Sequence, residues 1–205
     1  TKAEASPRGK VNSWLTTAPA NPEMAGIDCL LSLDHLGPGA RLLASGLSEA
    51  TTMITSKPRR AVLVAYEDMS PRDLSGPFQE METASRLLSK SGPAGYDTSV
   101  ASVNGGLVVT SSGLSIMTQP LSALDGVAID TLIVPGGSKD DAFHSPPQLV
   151  EWIARRAPTV RRLCSVCTGA FLLAAAGQLD GKEVATHWDW IARLRELHPA
   201  IRINP

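Results

Sequence analysis

Val160-Arg-Arg-Leu-Cys-Ser-Val-Cys-Thr-Gly-Ala-Phe-Leu-Leu-Ala174 reads as a strand passing into a helix through a turn of almost no length. Val160 to Cys164 predicts a short strand. Thr168 to Ala176 predicts a helix that is apolar all round and must therefore be enclosed. Cys167 stands at the elbow between them, and Gly169 removes side-chain bulk where the helix starts. A nucleophile on such an elbow is held in a strained conformation above the sheet. It also sits at a helix N-terminus, where free N–H groups and the dipole favour a thiolate, so a lowered pKa is expected for Cys167. The competing reading is a buried structural cysteine, since cysteine is among the most buried residue types. Cys164, inside the preceding strand, is expected to be shielded.

Working outward, strands alternate with helices. Ala61 to Tyr66 is a continuous apolar run, as a strand buried on both faces requires, and Ile129 to Val134 reads as another buried strand. A helix opened by Gly76-Pro77 carries Leu74, Phe78, Met81, Ala84 and Leu88 on one face. Thr98 to Val103 predicts a further strand, after which Asn104-Gly105-Gly106 turns the chain into a hairpin excursion, Leu107 to Thr110. Ser145-Pro146 with Gln148 predicts the capped start of another helix. This alternation implies an α/β fold, an open parallel sheet with helices on both faces. Ligands of such sheets sit beyond the carboxyl ends of the strands. Asp73, Pro135-Gly136-Gly137 and Ser165 to Gly169 are therefore expected to converge at one edge.

Residues 1–58 read differently, as an irregular extension or linker, with Ile27 to Leu33 and Ala40 to Leu47 as its only candidate elements. Over the whole chain, 43% hydrophobic and 19% charged residues fit a globular protein and exclude wholesale disorder. A net charge of −1 gives no general attraction to nucleic acid or membrane. The longest apolar run, Ala170 to Ala176, is far short of a membrane span. No signal peptide is read at the start, and three cysteines make no disulfide framework, so a cytoplasmic location is expected. A zinc site at Cys164 and Cys167 would need two further ligands, and no second Cys pair or His cluster supplies them. The basic cluster Arg155, Arg156, Arg161 and Arg162 lacks the aromatic partners or recognition helix of a nucleic-acid patch.

Ser165-Val-Cys-Thr-Gly-Ala-Phe-Leu-Leu-Ala-Ala-Ala-Gly-Gln-Leu-Asp-Gly-Lys182, followed by Ala185-Thr-His-Trp188, resembles the signature of the ThiJ/PfpI branch of the class I glutamine-amidotransferase-like superfamily. Asp73-Leu-Ser-Gly-Pro-Phe78, Asn104-Gly-Gly106 and Thr131-Leu-Ile-Val-Pro-Gly-Gly137 fall at the expected places before it. The resemblance covers residues 59–205 and implies a flavodoxin-like open sheet. It also implies that the fold continues beyond Pro205, so that the chain is truncated.

The resemblance is closest to the sensor domains of GlxA-like regulators, which pair this fold with an AraC-type helix-turn-helix module. It implies a domain binding a small metabolite near Cys167, with DNA reached only through a module outside this chain, no cofactor, and a possible homodimer. The alternative it leaves open is a Cys-dependent lyase or hydrolase resembling isocyanide hydratase, with Cys167 as nucleophile and Asp73 as acid. Ligand-binding roles are expected for Gly136, Gly137, Cys167, Thr168 and His187, with backbone N–H groups of the two glycines suited to an oxyanion or carboxylate. Each has a plainer alternative: a helix-start carboxylate at Asp73, a strand-ending turn at Gly136-Gly137, and a helix-entrance contact at His187. Surface exposure is the plainer reading of His144. Protease-like relatives carry a histidine after the cysteine; Thr168 stands there in this chain, so that dyad is absent.

Overall fold

The computed structural model describes residues 15–19, 57–89, 94–137 and 146–203. Seven strands make one twisted sheet in the order β1-β7-β6-β2-β3-β5-β4. These are β1 (Leu15–Pro19), β2 (Arg59–Val64), β3 (Tyr96–Ser102), β4 (Gly106–Val109), β5 (Ser115–Pro120), β6 (Thr131–Val134) and β7 (Arg162–Val166). The five inner strands run parallel, while β1 on β7 and β4 on β5 are antiparallel edges. The mostly parallel α/β architecture is the one expected. Its centre is built from enclosed strand residues: every residue from Ala61 to Tyr66 and from Thr131 to Val134 is buried.

The flanking helices are α1 (Pro71–Leu88), α2 (Pro147–Arg156) and α3 (Gly169–Ala175). Helix α1 packs on β2 and β3 through Leu74 and Met81, and α3 packs on β6 and β7 with α2 beside it. Residues 169–174 are all buried, which explains a helix with no polar face. Beyond α3, a small parallel pair of β8 (Glu183–Val184) and β9 (Arg202–Ile203) brackets a short helix α4 (Ile191–Leu197). No described helix is long and apolar enough to cross a membrane.

Several local expectations are corrected. Helix α1 starts with Pro71 at its first position, and Gly76-Pro77 lies inside it. Proline disfavours α conformation in the residue before it by crowding that residue's Cβ, and Gly76 has none. The excursion after Asn104-Gly-Gly is a hairpin of β4 with β5, and β5, a strand absent from the expectation, pairs parallel with β3. Helix α2 is capped by Pro146 without a side-chain bond. Ser145, His144, Cys29 and the candidate elements of residues 27–33 and 40–47 lie outside the described residues. Leu15–Pro19, within the segment read as irregular, supplies the edge strand β1.

Candidate functional site

The parallel sheet sets the site, because β2, β6 and β7 end side by side. Cys167 follows β7 and takes φ 55°, the left-handed region that costs a non-glycine residue about 1–2 kcal/mol. The turn is tight because Gly169 lies against the Val134 carbonyl of β6; a Cβ there would collide with it. Asp68, after β2, shares the left-handed conformation at φ 61°.

Asp73 comes from the first turn of α1, where the helix dipole favours a carboxylate. It is 5% exposed, and its Oδ2 has no nitrogen or oxygen partner among the described residues. The glycines let it approach. A Cβ on Gly136 would stand 2.7 Å from Asp73 Oδ2 and 2.8 Å from the Thr168 nitrogen. A Cβ on Gly137 would stand 2.6 Å from Met69 Cα. The Gly137 N–H donates to Thr168 Oγ1 at 3.0 Å, and the Ser70 N–H donates to the Gly136 carbonyl at 2.8 Å. The Gly137 donor expected to face a ligand is thus held by Thr168.

The thiol differs from expectation in sign. Burial, then the charge of Asp73, push Cys167 up to about 11, and the Thr168 N–H opposes them without prevailing. The helix N-terminus of the seven-residue α3 does not overcome an enclosed, anionic neighbourhood. Cys164 is also pushed up to about 11, by burial, in keeping with its shielded place inside β7.

Two residues not foreseen complete the site. Tyr66, ending the β2 run, donates from its hydroxyl to the Pro135 carbonyl at 2.9 Å. Burial, then Asp73 and Cys167, hold its hydroxyl well above the ordinary phenol range. Its sequence signal was a single polar-tipped residue closing an apolar strand at the carboxyl edge. Thr186 Oγ1 donates to the Cys167 carbonyl at 3.1 Å and braces the elbow; it lies inside the Ala185-Thr-His-Trp188 stretch quoted above, where only His187 was singled out. His187, beside it, accepts the Asp189 N–H through Nδ1 and stacks near Trp188 with ring centroids 4.1 Å apart. No group of three metal-binding side chains occurs among the described residues.

The site also reaches the sheet's far edge. The Val109 N–H of β4 donates to Glu67 at 3.2 Å, the Asp68 N–H donates to the Val109 carbonyl at 3.1 Å, and the Ser111 N–H donates to the Met69 carbonyl at 3.0 Å. The β4–β5 hairpin is thereby tied to the loop behind Gly137, while its outer side chains Leu107 and Met117, cross-strand neighbours, stand in solvent.

Among known proteins, the DJ-1/PfpI family profile matches residues 59–200. The transcriptional regulator GlxA of Rhizobium meliloti, described as HTH-type, is 32% identical over 101 residues, covering 49% of this chain and 30% of the regulator. Isonitrile hydratase of Pseudomonas putida is 31% identical over 124 residues, covering 60% of this chain and 50% of the enzyme. The crystal structure of an AraC family transcriptional regulator from Pseudomonas putida superposes with a TM-score of 0.58 at 25% identity, covering 72% of this chain and 77% of the other. This chain thus spans half or less of the length of these two curated relatives.

Proposed function

The chain belongs to the DJ-1/PfpI family, and from that premise we propose that it is the ligand-sensing domain of an AraC-type transcriptional regulator. In this reading it binds a small nitrogen-containing metabolite beside Gly136, Gly137, Cys167, Thr168 and His187. DNA is contacted by a helix-turn-helix module outside residues 1–205, because the net charge of −1 supplies no field for phosphates. The regulator works in the cytoplasm, without a cofactor, as a homodimer.

The observation that carries this reading is the state of the thiol. A cysteine pushed up to about 11 is protonated at neutral pH, and the thiolate is the nucleophilic form. The neighbouring Gly137 N–H is already engaged by Thr168, so it is not aimed at a developing oxyanion. Such a site suits recognition better than turnover. The similarity to HTH-type and AraC family regulators supports the same choice.

The second reading is an isonitrile-hydrating enzyme. It is favoured by Asp73, a buried carboxylate beside Cys167, and by the similarity to isonitrile hydratase. Incubation of the purified chain with cyclohexyl isocyanide separates the two. The sensor reading expects no N-substituted formamide above the Cys167→Ala background. It also expects a member of a panel of amines, amides and amino acids to raise the melting temperature, with the rise lost in Gly136→Val. Formamide production that disappears in Cys167→Ala and Asp73→Asn would replace the sensor with the enzyme.

A further inference from the structure

The opposite, amino edge of the same sheet carries a cavity of about 580 Å³, within the ~300–1,000 Å³ range of small-molecule sites. Six residues of strand and turn separate Arg161 from Cys167, so the cavity lies roughly 20 Å from the thiol at about 3.3 Å per residue. Its walls combine three arginines, Arg59, Arg60 and Arg161, and one carboxylate, Asp130, with apolar surface from Val127 and Ile129.

Two of these arginines are already neutralised. Arg161 donates to both oxygens of Asp130, at 2.7 and 2.8 Å, and Arg60 pairs with Asp97 at 3.0 Å. Asp130 is itself fixed, since Thr131 Oγ1 donates to it at 2.7 Å. Burial works against its charge, but the hydrogen bonds of Arg161 and Thr131 and the charges of Arg161 and Arg59 hold its carboxyl below the ordinary value. Arg59, exposed at the first position of β2, carries the remaining charge; Asp130 feels it through space, while the hydrogen bonds to that carboxylate come from Arg161 and Thr131.

We propose that this amino-edge cavity is a second small-molecule site, taking a monocarboxylate carried on a compact apolar body, with Arg59 as its charged anchor. The charge count sets the class. With Asp130 and Asp97 offsetting Arg161 and Arg60, one positive charge remains, which matches one carboxylate. A dianion would exceed it and face the fixed Asp130 carboxylate at close range. A neutral apolar molecule would use the Val127 and Ile129 wall but gain nothing from the guanidinium. Planar guanidinium and planar carboxylate meet through paired hydrogen bonds, and the Val127 and Ile129 wall accommodates the apolar body.

Titration of the full chain with sodium benzoate, followed by calorimetry and by amide chemical shifts, tests the proposal. Expected are saturable binding with shifts at residues 59–61 and 127–131, and an affinity for benzamide at least about tenfold lower. Arg59→Gln is expected to weaken benzoate at least about tenfold and Arg59→Lys less, as a charge-assisted contact demands. Cys167→Ser should leave the affinity unchanged, which separates this cavity from the site at the carboxyl edge. Absence of saturable binding by benzoate and by isovalerate overturns the proposal. So do equal affinities for benzamide, an Arg59→Gln variant that binds like the parent, inorganic phosphate displacing benzoate at equal concentration, or a Cys167→Ser effect.

Discussion

Asp73 stands beside Cys167 as a buried carboxylate, and its charge works against ionisation of the thiol. A like charge raises the pKa of an acid, so removing it lowers that pKa. Asp73→Asn is therefore expected to accelerate alkylation of Cys167 by iodoacetamide at pH 8, by at least about threefold. Slower alkylation in the variant would mean that Asp73 withdraws the thiol proton during the reaction, a base's role.

The two thiols should separate by access, since each is pushed up to about 11. Cys164 is 1% exposed inside β7, whereas Cys167 is half-buried at the elbow. Mass spectrometry after limited alkylation should find Cys167 modified well before Cys164. With the Cys167 thiol held protonated, its rate at pH 8 should be about tenfold or more below that of free cysteine, the greater basicity of its thiolate offsetting part of the loss. A Cys167 rate matching free cysteine at pH 8 would contradict the enclosed, anionic setting.

Alkaline pH should unfold the domain through these same groups. Burial pushes both thiols up from about 9 to about 11 in the fold, and it raises Tyr66 as well. An acid whose pKa is raised by folding contributes stability fully present below its unfolded value and lost as pH climbs through its folded one. The loss runs from about pH 9 to about 11, on the order of 2 kcal/mol for Cys164 and less for the half-buried Cys167. Urea denaturation of the parent and of Cys164→Ala across this window checks it; the variant should have the shallower decline.

Gly169→Ala should be among the most damaging small changes. Its Cβ would enter the space of the Val134 and Pro135 backbone, which cannot swing aside as a side chain would. A loss of about 2 kcal/mol or more is expected, against a near-neutral effect for Ser75→Ala on the exposed side of α1. Thermal melts of the two variants provide the comparison.

The sheet's centre was legible because Ala61–Val64 of β2 and Leu132–Val134 of β6 are fully buried and hence apolar, and α3 because it has no polar face. Strand β5, Ser-Ile-Met-Thr-Gln-Pro, lies beside an edge with mixed burial and carries too few apolar residues to announce itself. The start of α1 was misplaced because Gly76-Pro77 looks like a helix opening, while Pro71 does the same job five residues earlier. At the site, the elbow at Cys167 was readable from adjacent residues alone. The sign of its pKa shift was not, because it depends on enclosure and on how closely a glycine at 136 lets Asp73 approach. Thr186 escaped notice for a related reason: its contact is with a backbone carbonyl, which leaves no pattern in side-chain chemistry.

The left-handed backbone at Cys167 has an evolutionary consequence. Glycine is the residue that occupies φ 55° without steric cost, so the position is pulled toward glycine by about 1 kcal/mol in every generation. Packing of the Cys167 side chain against the core opposes that pull, as would any use of the sulfur. At Cys164, in ordinary strand geometry, no pull toward glycine exists, so two cysteines three positions apart are held by different constraints.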